Sequence, residues 1–301
     1  MFYISGMKKN LFLGHLAALF AAFVWGTTFI VTKDLMNSFN AAEILLVRFV
    51  IAVVVLTFVC LVKKERLRMP ENKKDELYFA GAGLTGLFLY GVFEILSMKY
   101  TYASNTSTIV STNPFFTSLF VILFLKGKRP KSTFYIGFAI AIIGIAVISF
   151  NGTKSFGLNP LGDCLALVAS ISWGFYTVLI SKAYDKGYST LYITRRTYIW
   201  GVIEMLLSMP FFGLEGGFER LASLTTIGGF IFLGIIASGC CFMTWNFATK
   251  ALGPISSSVY IYTIPVITII FAAIFAHEAM NATSLVGIAI VIAGTVISSI
   301  N

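Results

Sequence analysis

The chain has 301 residues, 57% of them hydrophobic and only 12% charged, with a net charge of +9. Soluble domains carry about 25% charged residues, so lipid is the solvent for most of this chain, and no polar stretch is long enough for a water-soluble catalytic or nucleic-acid-binding module. The positive balance is that of basic loops holding helices at a membrane surface, not of a nucleic-acid groove.

A membrane-crossing helix needs about 20 apolar residues. Reading apolar runs between polar breaks predicts ten, over residues 11–32, 41–62, 77–98, 103–125, 133–150, 160–182, 190–212, 226–249, 254–276 and 283–300. The first follows Lys8 and Lys9 but is too long for a signal-peptide core, so a retained helix is expected. It carries Trp25 past its middle. The second carries Arg48, and the third carries Tyr90 and Glu94, four apart and therefore on one helical face. The fourth holds Asn113 and is broken at Pro114; the sixth holds Trp173 and Tyr176. Arg195, Arg196 and Glu204 interrupt the seventh. Trp245 and Asn246 fall in the eighth, and Tyr260, Tyr262, Thr263 and Pro265 in the ninth.

The chain repeats itself. Residues 19–26 read LFAAFVWG and residues 167–174 read LVASISWG, so Trp173 follows Trp25 at a shift of 148. Arg196 follows Arg48 at 148, Gly294 follows Gly144 at 150, and Pro265 follows Pro114 at 151. One nearly constant offset means two homologous halves, with expected boundaries 1–151 and 152–301. Five helices is an odd number, so the two halves must sit in opposite orientations, the inverted-repeat pattern of membrane carriers. Lysine and arginine counts set the topology. With the N-terminus inside, fifteen of the 22 basic residues fall on inner segments, and only Lys33, Lys99, Lys154 and Arg220 on outer ones. Both termini are therefore expected in the cytoplasm, in the inner (plasma) membrane of the cell.

Charges at membrane depth are expensive unless paired or wetted, and so are functional candidates. Arg48 and Glu94 lie at similar depths and can pair. Arg196 falls near the opposite face, and Glu204 sits deeper with no cationic partner at its level. These four, with Pro114 and Pro265, are candidates for gating or coupling; protons are the candidate coupling ion. Each proline removes an amide donor and leaves the carbonyl four residues back, Val110 or Ile261, short of a partner. The candidate substrate-binding set is Trp25, Tyr90, Glu94, Asn113, Trp173, Tyr176, Trp245, Asn246, Tyr260 and Thr263. Packing inside the bundle is the competing reading for each ring. No metal site and no cofactor are expected, because His15 and His277 stand isolated and the four cysteines lie in apolar runs. Residues 81–86 match G-x-G-x-x-G, but inside a helix they read as helix-packing glycines. Gly137 and Gly144, like Gly287 and Gly294, are seven apart and read as close-contact seams.

These features together resemble the drug/metabolite transporter superfamily, specifically its EamA-type ten-helix carriers. The resemblance rests on Trp25-Gly26 and Trp173-Gly174, on Arg48, and on residues 98–104 (MKYTYAS) and 249–255 (TKALGPI), which lead into the helices broken at Pro114 and Pro265. That family tends to end helices four and nine with a glutamate; Glu278 fits the second position, whereas residues 126–128 (KGK) depart from the first. The resemblance implies an all-α integral membrane carrier. Helices one to four and six to nine would surround the path, with five and ten at the periphery. It implies alternating access and efflux of a small organic metabolite, such as an amino acid, by a monomer or homodimer without enzymatic activity. A carrier of organic cations held by aromatic rings and a carboxylate remains an alternative, as does a receptor or scaffold.

Overall fold

The computed structural model describes residues 2–70, 72–101, 103–127, 129–149, 159–213, 220, 223–275 and 282–299, and these contain helices and no strands. They group into ten helical segments. Segment one is Phe2–Leu35, two is Ala41–Val62 and three is Lys73–Tyr100. Segment four is a pair of helices, Ala103–Val110 and Asn113–Leu125, and segment five is Ser132–Ser149. Segments six to eight are Pro160–Asp185, Thr190–Phe212 and Leu224–Leu252. Segment nine runs through Pro254–Ser258, Val259–Thr263 and Ile264–Phe275, and segment ten is Ala282–Ser299.

Six of these helices are long and apolar enough to cross a membrane, and Asn113–Leu125, Ser132–Val147 and Leu285–Ser298 are shorter apolar helices. Segment seven has the length, at 23 residues, but contains Arg195, Arg196 and Glu204. Lys154, His277 and Glu278 lie outside the described residues.

Local chemistry sets the ends. Asn40 caps segment two in a reciprocal capping box with Glu43. Asn159 caps segment six, with Pro160 in the first turn where its missing amide costs nothing. Ser189 caps segment seven. Gly213 and Gly253, at φ 72° and 84°, end segments seven and eight in a region that favours glycine.

The packing has the symmetry of the sequence repeat. Segment one packs on eight and nine, and segment six packs on three and four. Segments two and seven pack on each other, and so do five and ten. Each of these last two pairs joins repeat equivalents, and each runs antiparallel. Asn40 meets Gly213 while Arg195 reaches Thr57. In the other pair, Gly137 lies against Ser298 and Gly144 against Val291. The small-residue seams thus form as the spacing predicted: a Cβ on Gly144 would stand 2.7 Å from the Val291 amide. The glycines of residues 81–86 are packing glycines too, facing Leu179, Trp200 and Tyr176 in turn.

Two features are absent from the expected pattern. Segments three and eight carry π-helical stretches, Leu84–Leu89 and Phe232–Cys240, at corresponding places in the two halves. Such wide turns are frequent at functional sites. Segment four breaks at Ser111–Thr112, ahead of Pro114, whereas segment nine tightens into a 3-10 helix over Val259–Thr263 before Pro265. The carbonyls freed by the prolines are met in different ways. Ser170 Oγ donates to the Val110 carbonyl at 3.4 Å, and the Ile264 amide donates to that of Ile261.

Candidate functional site

A hollow of about 40 Å³ lies between the halves, lined from segments one to four on one side and by Trp173, Phe242, Ile261 and Ile264 on the other. By the measure of roughly 10–15 Å³ per water, it has room for a few waters only. Six of the residues expected from sequence meet there: Trp25, Arg48, Tyr90, Glu94, Asn113 and Trp173.

Its wall is aromatic. Trp25 and Trp173 meet edge to face with centroids 5.5 Å apart at 88°. Tyr90 lies 5.0 Å from Trp173, and Phe242 lies 5.3 Å from Trp25. Trp25 Nε1 donates to the Ala237 carbonyl at 3.0 Å, inside the π-helical stretch of segment eight. Trp173 Nε1, by contrast, is buried without a hydrogen-bond partner.

The polar groups are spread around this wall. Tyr90 donates to Glu94 Oε1 at 2.8 Å, one helical turn along. Arg48 Nε donates to Ser238 Oγ at 2.9 Å. The pairing of Arg48 with Glu94 that their depths allowed is not made directly, since no ion pair links them. Each instead bonds a neutral hydroxyl, which leaves a guanidinium and a carboxylate facing one hollow. Asn113 is 2% exposed and its Oδ1 has no partner. The break ahead of Pro114 puts Ser111 and Asn113 on the lining.

The other expected residues lie elsewhere. Tyr176 sits behind Trp173 at 4.9 Å and donates to Asn246 Oδ1 at 2.7 Å. Asn246 Nδ2 donates in turn to Thr194 Oγ1 at 2.9 Å, so this amide ties segments six, seven and eight together. Trp245, 1% exposed, packs 5.1 Å from Trp25 and does not line the hollow. Tyr260 reaches His15 Nδ1 at 2.6 Å, and Thr263 bonds back to the Tyr260 carbonyl. Pro265 follows the 3-10 stretch and does not line the hollow. Glu204 lies against Gly83, away from the hollow, with Oε2 buried and unpartnered. Arg196 forms an ion pair with Glu76 at the start of segment three.

Thr28, Gly91 and Phe242 line the hollow without having been singled out, and Gly86 of the packing motif lines it too. Gly86 is required there for close approach, since any Cβ would enter the Tyr176 ring. The G-x-G-x-x-G spacing carried that signal as a packing motif. The end of the molecule holding the start of segment three is sealed. Phe79 packs 5.3 Å from Tyr188 and 5.6 Å from Tyr192, and the two tyrosines stack at 5.3 Å. Outside the helices there, burial and then the Asp75 carboxylate push the Tyr188 phenol up to about 12.

The arrangement is an aromatic, amphoteric hollow between two repeats, and known proteins resemble the chain around it in sequence and fold. The model of the EamA-like transporter family matches residues 12–150 and again 160–300. A relative from Archaeoglobus fulgidus, named an uncharacterized transporter, is 27% identical over 95% of this chain and 96% of its own length. The Escherichia coli uncharacterized inner membrane transporter YedA is 25% identical over 97% of this chain and 92% of its own. A solved crystal structure superposes with a TM-score of 0.75 at 17% identity, covering 95% of this chain and 96% of the other, which establishes the shared fold. The chain belongs to the EamA-like transporter family, as a multi-pass membrane protein made of two repeats.

Proposed function

We propose that the protein is a carrier that moves a small zwitterionic metabolite, an amino acid or a related compound, out of the cytoplasm by alternating access. Ten helices cross the membrane as two inverted repeats, 1–151 and 152–301, with both termini in the cytoplasm. The antiparallel runs of segments two and seven, and of five and ten, support this inversion. The hollow then lies toward the outer face, and the sealed end of segment three toward the cytoplasm.

The observation that carries the reading is the unpaired coexistence of Arg48 and Glu94 in one chamber. An uncompensated charge of either sign is costly at this depth. A ligand with a carboxylate for Arg48 and an ammonium for Glu94 would neutralise both at once. A simple organic cation would satisfy Glu94 and the ring faces but would be repelled by Arg48. Since the present hollow admits only a few waters, binding must accompany a widening between the repeats.

A thermal-shift series on the purified protein separates these readings through linkage. Free amino acids, their methyl esters and their N-acetyl derivatives present zwitterion, cation and anion on the same skeletons. The expected result is stabilisation by zwitterions only, abolished in Glu94→Gln. Equal stabilisation by the esters would favour the organic-cation carrier instead.

A further inference from the structure

Arg48 and Arg196 are repeat equivalents, yet one faces the hollow and the other is held in an ion pair. On the sealed side the Arg196 guanidinium pairs with the Glu76 carboxylate, and Trp200 Nε1 donates to the same Glu76 Oε1 at 2.6 Å. The side chains are nearly dry, 9% exposed for Arg196 and 14% for Glu76. The contact is also incomplete. Arg196 Nε and Glu76 Oε2 are both buried with no partner. A guanidinium prefers to grip a carboxylate with two parallel bonds, and here only Nη2 of Arg196 is used. Glu76 opens its helix beside Asp75, which Tyr188 and Lys186 hold at 2.9 and 3.8 Å, so the backbone that carries Glu76 is anchored there.

A guanidinium and an indole N–H around one carboxylate oxygen are the same donor types found at the hollow, where Arg48 bonds only the Ser238 hydroxyl and Trp173 Nε1 has no partner. We propose that Arg196 and Trp200 form a second anion-binding site, on the cytoplasmic side, and that Glu76 is a tethered carboxylate that fills it until the substrate's carboxylate displaces it. The claim rests on the carrier reading above. A free carboxylate can take both Nε and Nη2 of Arg196 and the Trp200 N–H, which the tethered one does not. Its arrival would release segment three from segment seven and unseal that side. Arg48 and Arg196 would then hold the same ligand group at opposite stages of one cycle.

The test reads exposure of segment seven. In a chain with Cys60, Cys164, Cys240 and Cys241 replaced by Ala, Thr197→Cys places a thiol beside Arg196 at a position 1% exposed. Inside-out vesicles are treated with a membrane-impermeant maleimide in potassium acetate or in potassium chloride of equal ionic strength. Acetate should speed labelling when Glu76 is present. Glu76→Gln should label roughly tenfold faster in chloride, the ratio given by losing a contact worth about 1.4 kcal/mol, and acetate should add nothing further. Glu76→Asp, which keeps a carboxylate, should remain acetate-sensitive and covers the case in which Glu76→Gln does not fold. Labelling unmoved by acetate, or an acetate effect that persists in Glu76→Gln, would overturn the site. Solute counterflow in the same preparation keeps the two claims apart. Lost counterflow with the labelling pattern intact would sink the carrier reading alone, and intact counterflow with flat labelling would sink the anion site alone.

Discussion

Trp25 and Trp173 occupy the same position in the two repeats and touch each other edge to face, centroids 5.5 Å apart. Residues 148 positions apart in sequence thus become neighbours near the symmetry axis. Their environments differ: the Trp25 indole N–H is satisfied by Ala237, and that of Trp173 has no partner.

That difference separates packing from recognition. Trp173→Ala should lower stability by about 3–5 kcal/mol, as large-to-small changes at buried rings do. Trp173→Phe keeps an aromatic ring in place and removes three ring atoms, the unpartnered N–H among them. It should cost less stability than Trp173→Ala while weakening substrate binding several-fold. Melting curves in detergent and thermal-shift titrations measure the two effects.

The seam between segments five and ten gives a second expectation. Gly144 faces the Val291 amide so closely that any side chain must push the helices apart. Gly144→Leu should destabilise by about 1–3 kcal/mol. Gly228 has nothing within 4 Å of its Cβ direction, so Gly228→Ala should be neutral or slightly stabilising. Paired thermal melts check both.

Asn246 offers a clean split between structure and substrate contact. It bonds Tyr176 and Thr194 away from the hollow. Asn246→Ala strands the Tyr176 hydroxyl and should cost about 1–3 kcal/mol of stability. At a temperature where both proteins are folded, its substrate KM should match the parent. A large KM change at unchanged stability would place Asn246 in the substrate path.

Tyr188 gives a pH signature outside the membrane. Its folded value, about 12, lies above the ordinary phenol value of 10.0. The neutral phenol is therefore favoured by folding. That contribution is complete below pH 10 and fades as pH climbs through 12. An ultraviolet titration of the parent minus Tyr188→Phe should show this phenol still protonated near pH 11. Asp75→Asn should bring its titration down, because the carboxylate is one cause of the rise.

Much of this was legible in the sequence for a physical reason. A duplicated Trp-Gly and Pro at nearly fixed offsets survive because symmetric packing needs the same shapes twice, and lipid forces long apolar runs. Arg48 and Glu94 stood out because charge at that depth is costly. Glu76 was hidden. It follows Lys73, Lys74 and Asp75, and in that company it reads as one more loop charge, although it is the partner of Arg196. The π-helical stretches had no distinct signal beyond closely spaced glycines. Tyr260 and Asn246 were assigned to the hollow by depth alone. Their actual partners, His15 at 245 positions away and Thr194 at 52, are set by helix rotation, which a period of apolar residues barely specifies when every face is apolar.

The central claim is that Arg48 and Glu94 jointly hold a transported zwitterion between the repeats. Counterflow of labelled amino acids in proteoliposomes tests it most directly, comparing the parent with Arg48→Gln, Glu94→Gln and the double variant. The account predicts that each single change removes counterflow while the protein stays monodisperse, and that the double change loses no more than either alone. Undiminished counterflow in both single variants would contradict it.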